Sequence, residues 1–302
     1  MSDLEYFHEP VLLEESVGAL ITDPDGVYID ATYGGGGHSK LILKKLGKKG
    51  RLFAFDQDEA VAAQLIQDPK FEWVNSNFRY LKKYMDYYKI KEIHGVLADL
   101  GLSSYHIDEN KRGFSFNSDF PLDMRMNVKQ ELTAEDIIMK YSESDLKRVF
   151  KEYGEITNAE ILVQSLQRDR RNRRFDSCKS FAQWAEKFVY GKRNKYLAQI
   201  FQALRIEVNQ EIDSLKNLLE QATELLVPDG RLVCISYHSL EDRLVKQCIK
   251  NEWQTSVEDE FFGRRKINYK AVNKHVVMSG SNELEINSRS RSAKLRIGIK
   301  VK

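Results

Sequence analysis

The sequence predicts an α/β fold, in which a doubly wound, mostly parallel sheet is interrupted by a helical insert. Short apolar runs alternate with helix-length segments in the first hundred or so residues, and each run ends in a polar or glycine-containing turn. Strands that are apolar along most of their length are typical of parallel sheets covered by helices on both faces. The rhythm stops after Leu102 and resumes with one more strand at 230–239.

Five apolar runs mark the predicted strands in order. They are VYIDATY (27–33), RLFAFD (51–56), FEWVNSN (71–77), HGVLADL (94–100) and GRLVCISYHS (230–239). Helices are expected between them at about 38–47, 58–66 and 79–89, and the spacing of Val11, Leu12, Val17 and Leu20 predicts another at about 10–20. Near the end, HVVM (275–278) and AKLRIGIKV (293–301) are expected to pair as a hairpin that adds the last strands.

The interruption divides the chain into three segments. Residues 1–108 and 206–302 are expected to form the two parts of one sheet domain. Residues 109–205 are expected to form the mostly helical insert, which is rich in Lys, Arg, Glu and Gln.

The composition is that of an ordinary globular protein with a sizeable core. The 302 residues are 42% hydrophobic and 30% charged, and no stretch approaches the ~18 apolar residues that a membrane span needs. The start MSDLEYFHEP lacks the basic and apolar runs of a signal peptide, so the cytoplasm is the expected compartment. Cys178, Cys234 and Cys248 form no CxxC pair, so neither a disulfide framework nor a zinc site is expected.

Positive charge is concentrated in two regions, although the net charge is only +2. From Arg168 to Lys195 there are ten Lys or Arg residues and three acids, and from Asn287 to Lys302 there are six bases and no acid. Such runs are typical of a solvated face, and they indicate a nucleic-acid surface only when a second, independent feature supports it.

A glycine-rich turn follows the first predicted strand, within DATYGGGGHS (30–39). Four consecutive glycines between a strand and a helix let the backbone approach a ligand with its N–H groups free, although a plain flexible loop is the alternative. A dinucleotide fingerprint, G-x-G-x-x-G/A, would place glycine or alanine where this chain has Ser39.

Three side chains near the ends of the next strands suggest a nucleoside site, since ligands of open α/β sheets bind at the carboxyl ends of the strands. Asp56 is placed to accept both ribose hydroxyls of either NAD or S-adenosylmethionine. Asp99 is placed to accept from an adenine amine or the donor's amino group, which favours the methyl donor, and Phe78 offers a ring face to adenine. The alternatives are that Asp99 caps the next segment and that Phe78 belongs to the core.

Eight motifs resemble, in sequence order, the bacterial 16S rRNA (cytosine-N4)-methyltransferase family, over about residues 8 to 300. They are HEPVLLEE (8–15), DATYGGGGHS (30–39), DLGLSS (99–104), RGFSF (112–116), PLDMRM (121–126), FQALRIEVN (201–209), SYHSLEDR (236–243) and SRSRSAKLR (288–296).

The resemblance implies a class I methyltransferase domain with a Rossmann-like sheet and a helical substrate-recognition insert, acting on a cytosine of the decoding region. It implies S-adenosylmethionine contacts at these positions of this chain: Gly36, Gly37, His38, Asp56, Phe78, Asp99 and His106. The family usually has Pro-Gln where this chain has Tyr105-His106, so a side-chain amide is replaced by an imidazole. Asn127 and Asp229 are smaller departures.

Catalysis at a cytosine amine requires groups that position the nitrogen and accept its proton, because its lone pair is delocalised into the ring. The candidates are Asp99, His238 after the fifth strand, and Asp123 and Arg125 in PLDMRM. Alternatively, Asp123 and Arg125 form a structural ion pair, and His238 is a satisfied turn histidine.

The expected partner is 16S rRNA, in the assembled small subunit, because a decoding-region base is built from several RNA segments. The basic stretch 168–195, with its neighbours Phe175, Trp184 and Tyr196, is the expected RNA surface, together with Arg289, Arg291 and Arg296 in the tail. Helix packing is the alternative for the three aromatics. The rival functions are an NAD-dependent oxidoreductase and a non-catalytic rRNA-binding assembly protein, and both a monomer and a homodimer are compatible with the sequence.

Overall fold

The structure is a computed structural model that describes residues 10–101, 110–252, 267–273 and 275–301. The chain divides into two compact units, one formed by 1–101 with 213–302 and the other by 102–212. The predicted insert, 109–205, falls within the range of the second unit. Among the described residues, no helix combines the length and apolar character of a membrane span.

The first unit is built on one seven-stranded sheet. Its strands are β1 (Val27–Asp30), β2 (Arg51–Asp56), β3 (Phe71–Asn75), β4 (Ile93–Asp99), β5 (Leu226–Ser236), β6 (Tyr269–Ala271) and β7 (Lys294–Lys300). They lie in the order β3-β2-β1-β4-β5-β7-β6. Neighbours among β1 to β5 are parallel, whereas β7 is antiparallel to both β5 and β6. The order reverses between β1 and β4, which is where a sheet of this kind opens a ligand crevice.

Helices of this unit cover the sheet. They are α1 (Leu13–Leu20), α2 (Gly37–Lys45), α3 (Leu81–Tyr87), α9 (Glu211–Leu225), α10 (Ser239–Ile249) and α11 (Ser281–Ile286), with α9 beginning just before the unit boundary. One buried cluster contains Ile29, Phe53 and Val96 with residues of α9 and α10, and another contains Tyr28, Leu52 and Leu97 with residues of α1 and α2. Successive residues of one strand therefore enter different clusters, because side chains alternate across a sheet.

The five predicted parallel strands are confirmed, one predicted helix is present as a 3-10 helix, and the predicted terminal hairpin is wrong. The segment predicted as a helix at 58–66 is a 3-10 helix at Glu59–Gln64, whose first turn is capped by the Asp58 side chain. The predicted partner of the last strand, 275–278, contributes only an isolated bridge from Val277 to Leu295. The strand that pairs with β7 on its outer side is β6.

The second unit is helical around a core of its own. Its α-helices are α4 (Ala134–Lys140), α5 (Glu143–Arg148), α6 (Ala159–Asp169), α7 (Cys178–Ala185) and α8 (Arg193–Asn209), with a π-helical turn at Val149–Tyr153. Aromatic rings fill the centre: Phe181 stacks on Trp184 at 5.7 Å between centroids, and Phe175 meets both edge-on. Capping boxes start α4 at Thr133 and α7 at Ser177, so local sequence fixes both helix starts.

Candidate functional site

The glycine-rich turn leaves β1 at the point where the strand order reverses. Gly34 and Gly36 have φ of 51° and 73°, in the left-handed region that favours glycine. A Cβ on Gly36 would lie 2.8 Å from Tyr33 Oη, and one on Gly37 would lie 2.1 Å from Pro10 Cγ. The side chains of Tyr33 and Pro10 therefore occupy the space that a Cβ at these two positions would need.

Hydrogen bonds attach this turn to β2 and β4. The amides of Tyr33 and Gly34 donate to Phe55 O at 2.9 Å and to Asp56 Oδ2 at 2.9 Å. On the other side, the amide of Ala31 donates to Leu97 O at 2.8 Å, and the amide of Asp99 donates to Thr32 Oγ1 at 2.8 Å. The turn, Asp56 and Asp99 thus form one hydrogen-bonded constellation at the carboxyl ends of three adjacent strands.

Asp56 is held by the backbone on both sides of its carboxylate. Its Oδ2 accepts from Gly34 N, and its Oδ1 accepts from Asp58 N at 2.9 Å. These bonds fix the carboxylate at the tip of β2. A carboxylate oxygen has capacity for more than one donor, so a ribose diol can be received by the same group.

Asp99 is a partly buried acid in a well-defined setting. Tyr237 Oη donates to its Oδ1 at 2.8 Å. Burial raises the pKa of Asp99, and the nearby His38, the Tyr237 hydroxyl and the Gly101 amide oppose that rise. The carboxylate is therefore a costly anion in the free protein, and a cationic or N–H donor ligand would stabilise it.

His38 and Phe78 are the remaining described donor-site predictions. His38 is buried in the first turn of α2, with Nε2 3.2 Å from Val11 O. Phe78 opens a 3-10 turn after β3, is partly exposed and packs on the sheet core. The predicted contact at His106 lies outside the described residues, as do 102–104 of the DLGLSS motif.

One buried acid of the site, Asp30, is not among the residues predicted from the sequence. Asp30, 1% exposed at the end of β1, accepts from Ser39 Oγ at 2.7 Å and from Thr32 N at 3.1 Å. Burial raises its pKa, and His38 and the Ser39 hydroxyl oppose the rise. Asp30 thus ties the beginning of the glycine turn to α2. An acid at the end of an otherwise apolar strand was the available indication.

The model of the MraW methylase family matches residues 5–301. The chain belongs to the MraW methylase family. It is 47% identical over 297 residues to the ribosomal RNA small subunit methyltransferase H of Flavobacterium johnsoniae, covering 98% of each chain. It is 46% identical over 303 residues to the protein of the same name from Christiangramia forsetii, covering 100% of each.

Solved structures are more distant. An rRNA methylase of Streptococcus thermophilus is 12% identical with a TM-score of 0.40, covering 95% of this chain and 92% of that one. Fibrillarin of Aeropyrum pernix, solved with S-adenosyl-L-methionine, is 9% identical with a TM-score of 0.40, covering 95% and 73%. The family assignment rests on the family model and on the two relatives at 46–47% identity. Because it belongs to the MraW methylase family, this chain is a methyltransferase whose donor is S-adenosylmethionine.

His238, a candidate for the acceptor side, is the N-cap residue of α10. Its Nδ1 accepts from Glu241 N at 3.4 Å in a capping box, and its Nε2 lies 3.0 Å from Glu241 Oε1. The side chain is only 9% exposed. The structure thus gives His238 the local role of a helix-capping turn histidine, and a role in catalysis stays a prediction.

Asp123 and Arg125 form an ion pair within the second unit. Arg125 Nε and Nη2 each donate to the Asp123 carboxylate at 2.8 Å, and Nη1 donates to Val128 O and Gln130 O. Burial acts to raise the pKa of Asp123, but hydrogen bonds and charge from Arg125 outweigh it and lower the pKa below its ordinary value. The pair therefore organises the loop before α4, and base orientation by either residue stays a prediction.

Nine of the ten bases in the stretch 168–195 are exposed, and Arg170 is only partly exposed. Its neighbouring aromatics differ: Phe175, Trp184 and Tyr196 are at most 3% exposed. Helix packing, the alternative for these rings, is what the structure shows. The exposed aromatic of the stretch is Tyr190, at 76%. In the tail, Arg296 is engaged by Asp242, while Arg291 is exposed, and the side chain of Arg289 is outside the described set.

Proposed function

We propose that this chain transfers the methyl group of S-adenosylmethionine to the N4 amine of a cytosine in the decoding region of 16S rRNA. The main structural support is the donor site, in which backbone hydrogen bonds join the glycine turn, Asp56 and Asp99. The chain that contains this site belongs to a methylase family. The relatives named ribosomal RNA small subunit methyltransferase H support the choice of small-subunit RNA as acceptor.

The residues present fit the donor. Only glycine keeps this tight backbone at Gly36 and Gly37, because a Cβ would collide with Tyr33 or Pro10, and we assign the backbone of the turn to the cradle of the donor. Asp56, at the tip of β2, is assigned to the ribose hydroxyls, and Asp99, at the tip of β4, to an N–H group of the donor. Phe78 is assigned to the adenine face, His38 to the wall of the cradle, and His106 is retained as a predicted contact of the same site.

When bound, the donor would supply a sulfonium methyl carbon for attack by the amine nitrogen, so that an N–C bond forms, the C–S bond breaks, S-adenosylhomocysteine leaves and one amine proton is released. The protein's task is to hold the amine in line and to provide a proton acceptor, so positioning supplies much of the rate. Asp99 and His238 are the acceptor candidates of the first unit. In the second unit, Asp123 and Arg125 are proposed to orient the base or pair with a phosphate.

The RNA surface is assigned to the exposed bases of 168–195 and to Arg291, because arginine and lysine bind phosphates in any sequence. Because the other three rings are buried, we assign the stacking role to Tyr190, which lies in an exposed run with Lys192, Arg193 and Lys195. The assembled small subunit is proposed as the substrate in preference to naked RNA.

One experiment tests the function directly. The protein is incubated with labelled S-adenosylmethionine and either small subunits or naked 16S RNA, and the labelled nucleoside is identified by mass spectrometry. We expect N4-methylcytidine, at a higher yield from subunits. Label on another nucleoside refutes the acceptor assignment, and RNA binding without any label transfer favours a non-catalytic assembly protein.

Two substitutions test the site. Asp99→Asn should weaken donor binding measured by calorimetry, because the amide has only one acceptor oxygen and no charge.

Tyr190→Ala should weaken RNA binding while leaving donor binding unchanged. The matched control is Tyr87→Ala, because Tyr87 of the first unit is 77% exposed, like Tyr190. Equal RNA affinity of the two tyrosine variants would refute the stacking assignment.

A further inference from the structure

We propose that Tyr237 is a positioning residue of the methyl-transfer site, whose phenol holds the Asp99 carboxylate in the orientation that receives the donor. The inference rests on the proposed function, because it needs Asp99 to contact the donor. Tyr237 would act through Asp99 and touch neither the donor nor the base.

The first support is the geometry of the neighbouring strands. Asp99 ends β4 and pairs in register with Ile235 of the parallel β5, and Leu100 N donates to Ile235 O at 2.9 Å. Tyr237 follows directly after β5 ends at Ser236. The two side chains thus leave the same edge of the sheet, and Tyr237 Oη reaches Asp99 Oδ1 at 2.8 Å.

The second support is that the ring of Tyr237 is fixed independently of this hydrogen bond. A Cβ on Gly101 would lie 2.6 Å from Cε2 of the ring, so the ring lies directly over the backbone of that glycine. The amide of Tyr237 donates to Glu241 Oε2 at 2.9 Å, and Glu241 is 3% exposed in the first turn of α10. The phenol is therefore held by a strand end, a glycine and a helix start.

The third support is the protonation of the phenol. Burial raises the pKa of Tyr237, and the charge and hydrogen bond of Asp99 raise it further, so the hydroxyl keeps its proton and donates to the carboxylate. The groups that face Asp99 are Tyr237 and the Gly101 amide, His38 on α2 and Asp30 on β1. His38, Tyr237 and Gly101 lower the pKa of Asp99, whereas Asp30 raises it.

Loss of the hydroxyl should therefore have two effects. The Asp99 carboxylate loses the bond that fixes its rotation, which weakens donor binding. Its pKa also rises further above the ordinary value, so protonation of Asp99 begins to weaken binding at a higher pH than in the wild type. A residue that only supported the local fold would not move this acidic limb.

The test uses the full-length protein with the substitution Tyr237→Phe, which keeps the ring over Gly101 and removes only the hydroxyl. The dissociation constant of S-adenosylmethionine is measured by calorimetry from neutral pH downwards for the wild type, Tyr237→Phe and Asp99→Asn. The matched control is Tyr269→Phe, which removes a buried phenol bonded at 2.9 Å to Thr223 Oγ1 on α9. Circular dichroism at each pH confirms that the proteins measured are folded.

We expect Tyr237→Phe to weaken binding about tenfold at neutral pH, the typical effect of losing one hydrogen bond to a charged group. We also expect its acidic limb to shift to higher pH, with KM for the donor changed more than kcat, and Tyr269→Phe to bind like the wild type. Asp99→Asn should bind weakly with no acidic limb of its own.

Two outcomes separate the inference from its foundation. If Asp99→Asn binds the donor like the wild type, the proposed donor contact is refuted, and the role of Tyr237 fails with it. If Asp99→Asn binds weakly while Tyr237→Phe has the wild-type affinity and pH profile, only the positioning role is overturned.

Discussion

The glycine turn offers a comparison between two adjacent residues that differ in backbone conformation. Gly36 has φ of 73°, and its missing Cβ would lie 2.8 Å from Tyr33 Oη. That hydroxyl donates to Gln64 O at 2.8 Å, so the ring cannot move away without losing this bond. Gly35 has no such constraint, because a Cβ there would meet nothing within 4 Å and its φ is not left-handed.

Gly36→Ala should therefore destabilise the first unit by about 2–3 kcal/mol. The left-handed conformation costs a residue with a Cβ about 1–2 kcal/mol. Loss of the Tyr33 hydrogen bond adds about 1 kcal/mol. Gly35→Ala should change the free energy of unfolding by less than about 0.5 kcal/mol, as is usual away from strained or packed positions.

Native-state hydrogen exchange read by mass spectrometry measures the effect on the unit concerned. Peptides from β1 and α2 should exchange about 30 to 150 times faster in Gly36→Ala, since each 1.36 kcal/mol is a factor of ten. Peptides from Gly35→Ala should exchange at rates close to the wild type. Similar exchange rates in the two variants would refute the conformational account of the turn.

Three further predictions concern stability. Asp229→Gly should raise the unfolding temperature slightly, because Asp229 is exposed with φ of 63°, where glycine avoids a cost of about 0.5–1 kcal/mol; an unfolding temperature below that of the wild type would contradict this. Arg205→Met should lower the free energy of urea unfolding by about 3 kcal/mol, because Glu211, 13% exposed, loses the two 2.9 Å hydrogen bonds that it accepts from Arg205. Adding Glu211→Gln should recover part of that free energy, and the absence of any recovery would contradict a stabilising ion pair. The pKa of Asp123 is lowered from 3.8 in the folded chain, so the stability that Asp123 contributes is present above pH 3.8 and is lost as pH falls through its folded pKa. Asp123→Asn should therefore lose less stability on acidification than the wild type, and an identical acid unfolding profile would contradict a contribution from the Asp123–Arg125 pair.

The parallel sheet was predictable because β2, β4 and β5 carry mostly apolar runs and β1 and β3 are short β-rich segments at helix-length spacing. A strand covered by helices on both faces of a parallel sheet is apolar along most of its length, so such strands can be recognised from the local sequence. β6 is different, because it has three residues with only Tyr269 buried, and its strand state comes from pairing with the distant β7. The Glu59–Gln64 segment contains good helix formers, but it folds as a 3-10 helix capped by the Asp58 side chain and not as an α-helix.

The candidate site was predictable to the level of backbone position. Glycines and acids directly after apolar strands must come together when parallel strands share an edge, which places Gly36, Asp56 and Asp99 near one another. The contacts among side chains were not predictable. Tyr237 is separated from Asp99 by more than a hundred residues of sequence, and only the pairing of β4 with β5 brings the two together.

The same distinction holds for the aromatic residues of the basic stretch. Composition cannot tell a stacking ring from a core ring, because both are aromatic and both have cationic neighbours. Phe175 and Trp184 are buried because they meet Phe181 in the core of the second unit, whereas Tyr190 is exposed before α8 begins.

The sequence by itself determined the strands, the glycine turn and the acids at the strand ends, since these follow from local patterns. Tertiary structure decided which side chains meet and which face solvent, since burial depends on contacts between residues that are distant in the chain.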